Sequence, residues 1–131
     1  MDKRILTLLG LLLILLSVWV DATWWDYSWD YKRNISISNT AGDLTNYPVK
    51  IVYNFSSEYS GEKINTTCED IRFTYYNSTA NSETEIPFWI ESCNFSLDDN
   101  MTAWVNVTFL ENNTNTTIYM YYGNPLATSE S

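Results

Sequence analysis

Ala103-Trp104-Val105-Asn106-Val107-Thr108-Phe109 alternates between two kinds of side chain, and its reading decides the fold. On an extended strand Ala103, Val105, Val107 and Phe109 share one face, and Trp104, Asn106 and Thr108 share the other. The first face is apolar and predicts burial. Asn106-Val107-Thr108 is also an Asn-x-Thr acceptor for N-linked sugar, and a glycan has to face solvent. Two unrelated rules therefore assign the same face to the outside.

The same alternation recurs on both sides of this segment. Lys32 to Ser38 places Ile35 and Ile37 together. Tyr47 to Phe55 places Val49, Ile51, Tyr53 and Phe55 on one face, with Lys50 and Asn54 opposite. Asp70 to Tyr76 sets Ile71, Phe73 and Tyr75 against Arg72, Thr74 and Tyr76. Glu85 to Glu91 groups Ile86, Phe88 and Ile90, and Pro87 marks an edge or a bulge. Thr116 to Tyr122 is a last strand, closed by Gly123-Asn124-Pro125. Asn, Asp, Gly and Ser separate these runs, and no long run has helix period. The pattern predicts an all-β fold, a two-sheet antiparallel β-sandwich of jelly-roll-like plan.

Nine asparagines head Asn-x-Ser/Thr sequons: Asn34, Asn54, Asn65, Asn77, Asn94, Asn100, Asn106, Asn112 and Asn115. Asn34, Asn54 and Asn106 lie within strands, each opposite the aliphatic face, and the other six fall in loops or at strand edges. All nine are glycosylation candidates; a polar surface of Asn and Thr without sugar is the alternative. Cys68 and Cys93 are the only cysteines, so a single disulfide has one possible pairing. Closing a loop of about 25 residues stabilises by roughly 3 kcal/mol. The bond would join the start of the Asp70 strand to the loop after the Glu85 strand, which makes these two strands expected neighbours.

Residues 1–22 read as an export segment ahead of the folded body. Lys3 and Arg4 precede an apolar run over residues 5–20, and Val20-Asp21-Ala22 resembles a cleavage site. Sixteen helical residues rise about 24 Å, short of a ~30 Å hydrocarbon core. An uncleaved anchor with Trp19 at the outer interface is the alternative, and it would be the only membrane contact. Both readings place residues 23–125, a β-sandwich domain, and residues 126–131, a C-terminal tail, outside the cytoplasm. A secreted or cell-surface location follows.

The chain has 131 residues, 7 basic and 16 acidic, with no histidine and a net charge of -9. That length predicts one domain. The absence of histidine excludes imidazole-based triads and histidine-held metals, and the acidic balance argues against a nucleic-acid partner. Glu85 with Glu91, or Asp70 with Glu91, would be the carboxylate pairs of a glycosidase, but nothing in the sequence fixes their separation. Asp98-Asp99-Asn100, or Asp26 with Asp30, would offer oxygen ligands to calcium, without EF-hand spacing. Asp70 beside Arg72 reads as a fold-specifying pair. The expectation is no catalytic residue, no metal and no cofactor.

Trp24-Trp25-Asp26-Tyr27-Ser28-Trp29-Asp30-Tyr31 is the densest aromatic stretch. Trp24, Trp25, Trp29 and Trp104 are the candidate ligand or interface residues, because indoles stack on sugar faces and anchor protein contacts. Packing across a small core is the structural alternative. Four pieces then line up in order: Trp25 to Arg33, Cys68 to Thr74, Pro87 to Ser92 leading to Cys93, and Ile118 to Pro125. Together they resemble the domain of unknown function 2341 family. The resemblance implies an exported prokaryotic surface module with a β-sandwich fold, sometimes fused to lectin-like or proton-channel partners, and no assigned enzyme activity. The expected function is a non-catalytic module that adheres to glycans or surface proteins. The alternative is a self-assembling subunit of a surface filament, sheath or layer, docked through its N-terminal aromatic segment.

Overall fold

The computed structural model describes residues 24–95 and 99–131; the expected export segment lies outside these. Among the described residues seven strands form: β1 (Tyr31–Asn39), β2 (Leu44–Asn54), β3 (Arg72–Asn77), β4 (Ser82–Glu85), β5 (Phe88–Cys93), β6 (Asn100–Leu110) and β7 (Thr114–Tyr122). A single helical turn, α1 (Ser56–Ser60), follows β2. The strands make two antiparallel sheets, one in the order β1-β7-β3-β4 and one in the order β2-β6-β5.

The core lies between the sheets. Val105 and Val107 of β6, Ile118 and Met120 of β7, and Phe73 of β3 are fully buried there, with Phe55 and Ile86 beside them. These are the inward positions of the period-two pattern. Ile86, Phe88 and Ile90 all reach this core, as their alternation requires. They do so from a broken element, however. The expected Glu85–Glu91 strand ends at Glu85 in the four-stranded sheet and resumes at Phe88 in the three-stranded one. Pro87 sits at the corner, where its missing N–H costs no ladder bond.

That corner corrects the strand pairing expected from the disulfide. β3 pairs with β4 and β7, while β5 pairs with β6 in the opposite sheet. Cys68, before β3, and Cys93, the last residue of β5, are bonded with Cα atoms 6.2 Å apart, so the bridge clasps one sheet to the other. A β-bulge makes this possible. The register shifts between Ile90 and Ser92, so Glu91 is the extra residue and Cys93 turns inward beside Met101. Without the bulge, Cys93 would share the outward face of Trp89.

Phe109 also departs from expectation. It is 37% exposed, while Leu110 is buried opposite its partner Leu44. Asn46 in β2 has a φ of 48°, which interrupts the pleat, so inward positions shift by one residue beyond it.

Residues after β7 are tied down at both sheets. Thr128 accepts a hydrogen bond from the Arg72 guanidinium at 2.7 Å, and the Ser131 hydroxyl accepts one from Ile90 N–H, on edge strand β5, at 2.6 Å.

Candidate functional site

The two sheets differ in what covers their outer faces. On the four-stranded sheet, Arg72 and Thr74 stand on the face opposite Ile71 and Phe73, yet both are buried. The segment before β1 lies over them. Trp24 and Trp25 both stack edge-on against Tyr121, and Trp25 also packs against Trp29. Trp29 is 8% exposed, donates its indole N–H to the Asp70 carbonyl at 2.7 Å, and carries the Arg72 guanidinium over its ring at 5.2 Å. Three of the four candidate tryptophans therefore build this cover. The segment stays on its own sandwich.

Polar groups under that cover are matched. Lys32 pairs with Glu83, whose second oxygen accepts from Thr74 Oγ1 at 2.7 Å and from the Tyr121 hydroxyl at 2.6 Å. Tyr121 in turn accepts from Trp25 N–H at 3.0 Å. Burial, and then the bond to Glu83, hold the Tyr121 phenol well above its usual range. Asp70 and Arg72 are not paired with each other, which corrects that expectation. The buried Asp70 carboxylate accepts backbone N–H bonds from Asn65 at 3.2 Å and Gly123 at 2.9 Å. Arg72 faces Glu130 at 3.4 Å and Glu85 at 3.7 Å. Burial, then the neighbouring Glu130, raise the Glu85 carboxyl, and Arg72 opposes them.

At the end of the sandwich, Tyr31 stacks on Tyr122 beside an open cleft of about 290 Å³ lined by Asp30, Lys63 and Asp70. Nearby, Glu58 accepts from Arg33 at 2.9 Å, Ser57 at 2.8 Å and Tyr53 at 3.2 Å. Burial pushes the Glu58 carboxyl up, but these bonds outweigh it and leave the group below its ordinary value. Among the described residues, no cluster of three metal-ligating side chains occurs. Asp98 lies outside them.

The outer face of the three-stranded sheet is different. Trp104 on the central strand β6 has Lys50 of β2 and Trp89 of β5 as its partners on either side, so the three form a row across the sheet. Trp89 is 56% exposed, and Val52, one outward position along β2 from Lys50, is 60% exposed. The Lys50 ammonium lies 5.7 Å from the Trp104 ring centre. Glu91 accepts the Trp104 indole N–H at 2.7 Å, reaching it from the bulge. The arrangement combines apolar ring surface with a carboxylate and an ammonium on an open sheet face. It suits a ligand with both apolar C–H faces and hydroxyls. Trp104 was marked by its strand position; Trp89 was not, although it stands opposite Ile86, Phe88 and Ile90 by the same alternation.

The proposed carboxylate pairs are dispersed. Glu91 belongs to this row, Glu85 to the opposite sheet, and Asp70 to the buried turn. Of the sequon asparagines, Asn34, Asn54, Asn77, Asn94, Asn112 and Asn115 are exposed, and Asn65, Asn100 and Asn106 are half-buried. None stands in the layer between the sheets.

No curated protein and no solved structure matches the chain. One family model does, over residues 67–131, and it is described as "Domain of unknown function (DUF2341)". The match holds β3 to β7, the disulfide and the Trp89–Trp104 pair. It includes three of the four resembling pieces and leaves the Trp25 to Arg33 piece outside. Residues 67–131 are therefore the part of the chain that matches the DUF2341 family, the same family that the four pieces resemble.

Proposed function

We propose that the protein is an exported, non-catalytic surface module, N-glycosylated and jelly-roll-like in plan, that binds saccharide chains on the outer face of its three-stranded sheet. One observation carries the reading. The Lys50–Trp104–Trp89 row is open, whereas the opposite outer face is covered by the chain's own Trp24, Trp25 and Trp29. The exposed Trp89 indole offers stacking, and Glu91 and Lys50 on the half-buried Trp104 beside it offer hydroxyl recognition. The disulfide suits an oxidising compartment outside the cytoplasm. Cell-surface glycans fit both features.

The test is calorimetric titration of the unglycosylated protein with a panel of oligosaccharides, beside Trp89→Ala. Binding that Trp89→Ala weakens at least about tenfold, in line with an aromatic anchor, is the expected result. Binding indifferent to Trp89, or no binding across the panel, would refute the proposal.

A further inference from the structure

We infer that the Lys50–Trp104–Trp89 row is covered by a glycan of the chain's own, joined to Asn106. The inference rests on the reading of this face as a saccharide platform and adds what controls access to it.

Three sequon asparagines share this one face. Asn54 and its partner Asn100 stand at one end, and Asn106 at the other. The row lies between them, with Asn106 two residues from Trp104 along β6. Two residues of strand span about 7 Å, so a first sugar on Asn106 begins beside the Trp104 indole. Its flanks are short. Pro48 is its partner on β2, and on the other side its N–H donates to the Pro87 carbonyl at 2.9 Å.

The carboxamide itself points the same way. Asn106 Oδ1 is buried with no hydrogen-bond partner, and this is the one such side-chain atom among the described residues. Asn106 Nδ2, the atom that carries the sugar, is not among the buried unpartnered atoms, and the residue is half-buried rather than enclosed. Asn54 differs, because its Nδ2 already donates to Asn100 Oδ1 at 3.1 Å. The sequon's Thr108 is exposed. Sugars extending from Asn106 meet the half-buried Trp104, which Lys50 already faces, and then the exposed Trp89, whose ring offers its face to their C–H groups.

The transfer joins Asn106 Nδ2 to the anomeric carbon of an oligosaccharide carried on a polyprenyl diphosphate. The anomeric C–O bond breaks, the diphosphate leaves with its electron pair, and the amide gives up one proton.

Thr108→Ala removes the sequon and leaves Asn106 in place. Wild type and Thr108→Ala, both purified from the natural source, are compared by glycopeptide mass spectrometry, by sugar-to-indole NOEs and by titration with the oligosaccharide panel. We expect occupied Asn106, NOEs to Trp104 and Trp89 in wild type, and at least about tenfold tighter binding by Thr108→Ala. Unoccupied Asn106, or an occupied one without NOEs and with unchanged affinity, overturns the inference. Wild-type NOEs with no binding by Thr108→Ala uphold the inference and sink the external-ligand reading. Equal binding by both proteins without NOEs does the reverse.

Discussion

Cys93 reaches Cys68 because the Glu91 bulge turns it inward, and the same bulge aims Glu91 at the Trp104 indole. One extra residue in β5 therefore serves both the clasp between the sheets and the polar edge of the open face. Replacing both cysteines with alanine should lower stability by about 3 kcal/mol, the value for a loop of this size. Urea unfolding without reductant checks it. A loss below about 1 kcal/mol would mean that the core alone holds the sheets together.

Trp29 closes the covered face, and its removal should act on stability. Trp29→Ala strips a buried ring from Arg72 and a donor from the Asp70 carbonyl. A cost of about 3 kcal/mol is expected. Trp29→Phe keeps the ring and loses the hydrogen bond, for about 1 kcal/mol. Equal effects from the two variants in urea titrations would show that the cover is not packed as described.

Gly123 holds a φ of 85° and gives its N–H to Asp70. A Cβ placed there would lie 2.5 Å from the Tyr31 ring. Gly123→Ala should therefore cost about 2 kcal/mol or more through strain and displacement of Tyr31. Thermal unfolding tests it, and an unchanged midpoint would contradict the close approach.

Glu58 sets part of the acid limb of stability. Its folded-state carboxyl lies below its ordinary value, so its contribution is complete above the unfolded pKa, about 4.3. That contribution is lost as pH falls through the folded value. Glu58→Gln should cost about 2 kcal/mol near pH 6, and the gap to wild type should narrow below about pH 4. Glu85 works with the opposite sign: its raised carboxyl favours the folded state more as pH falls. A wild-type to Glu58→Gln gap that stays constant from pH 6 to pH 3 would contradict the assignment.

Much of this fold was legible because alternation reports which face of a strand is buried. Ile35, Val105, Val107 and Phe73 reach the core side that their spacing predicts. Alternation does not report which sheet a strand joins. Ile86, Phe88 and Ile90 keep one period through Pro87 while the chain changes sheets, so β4 and β5 read as one strand and the disulfide seemed to join ladder neighbours. Phe109 was misread because the positive φ lies on Asn46, in the partner strand. The burial of Arg72 and Thr74, opposite the apolar face of β3, is not legible either, because local period carries no sign of Trp29 arriving from outside the strand. At the open face, Trp104 was visible as an outward aromatic. Trp89 escaped because only the register of β5 against β6 brings the two together.

The central claim is that the open face of the three-stranded sheet, rather than the covered face, meets ligand. The direct measurement is a two-dimensional ¹⁵N spectrum of the unglycosylated protein during titration with a bound oligosaccharide, read at the indole N–H resonances. The account predicts that Trp89 and Trp104 shift in a saturable way while Trp25 and Trp29 stay fixed. Shifts at Trp25 and Trp29 with Trp89 and Trp104 unmoved would contradict it.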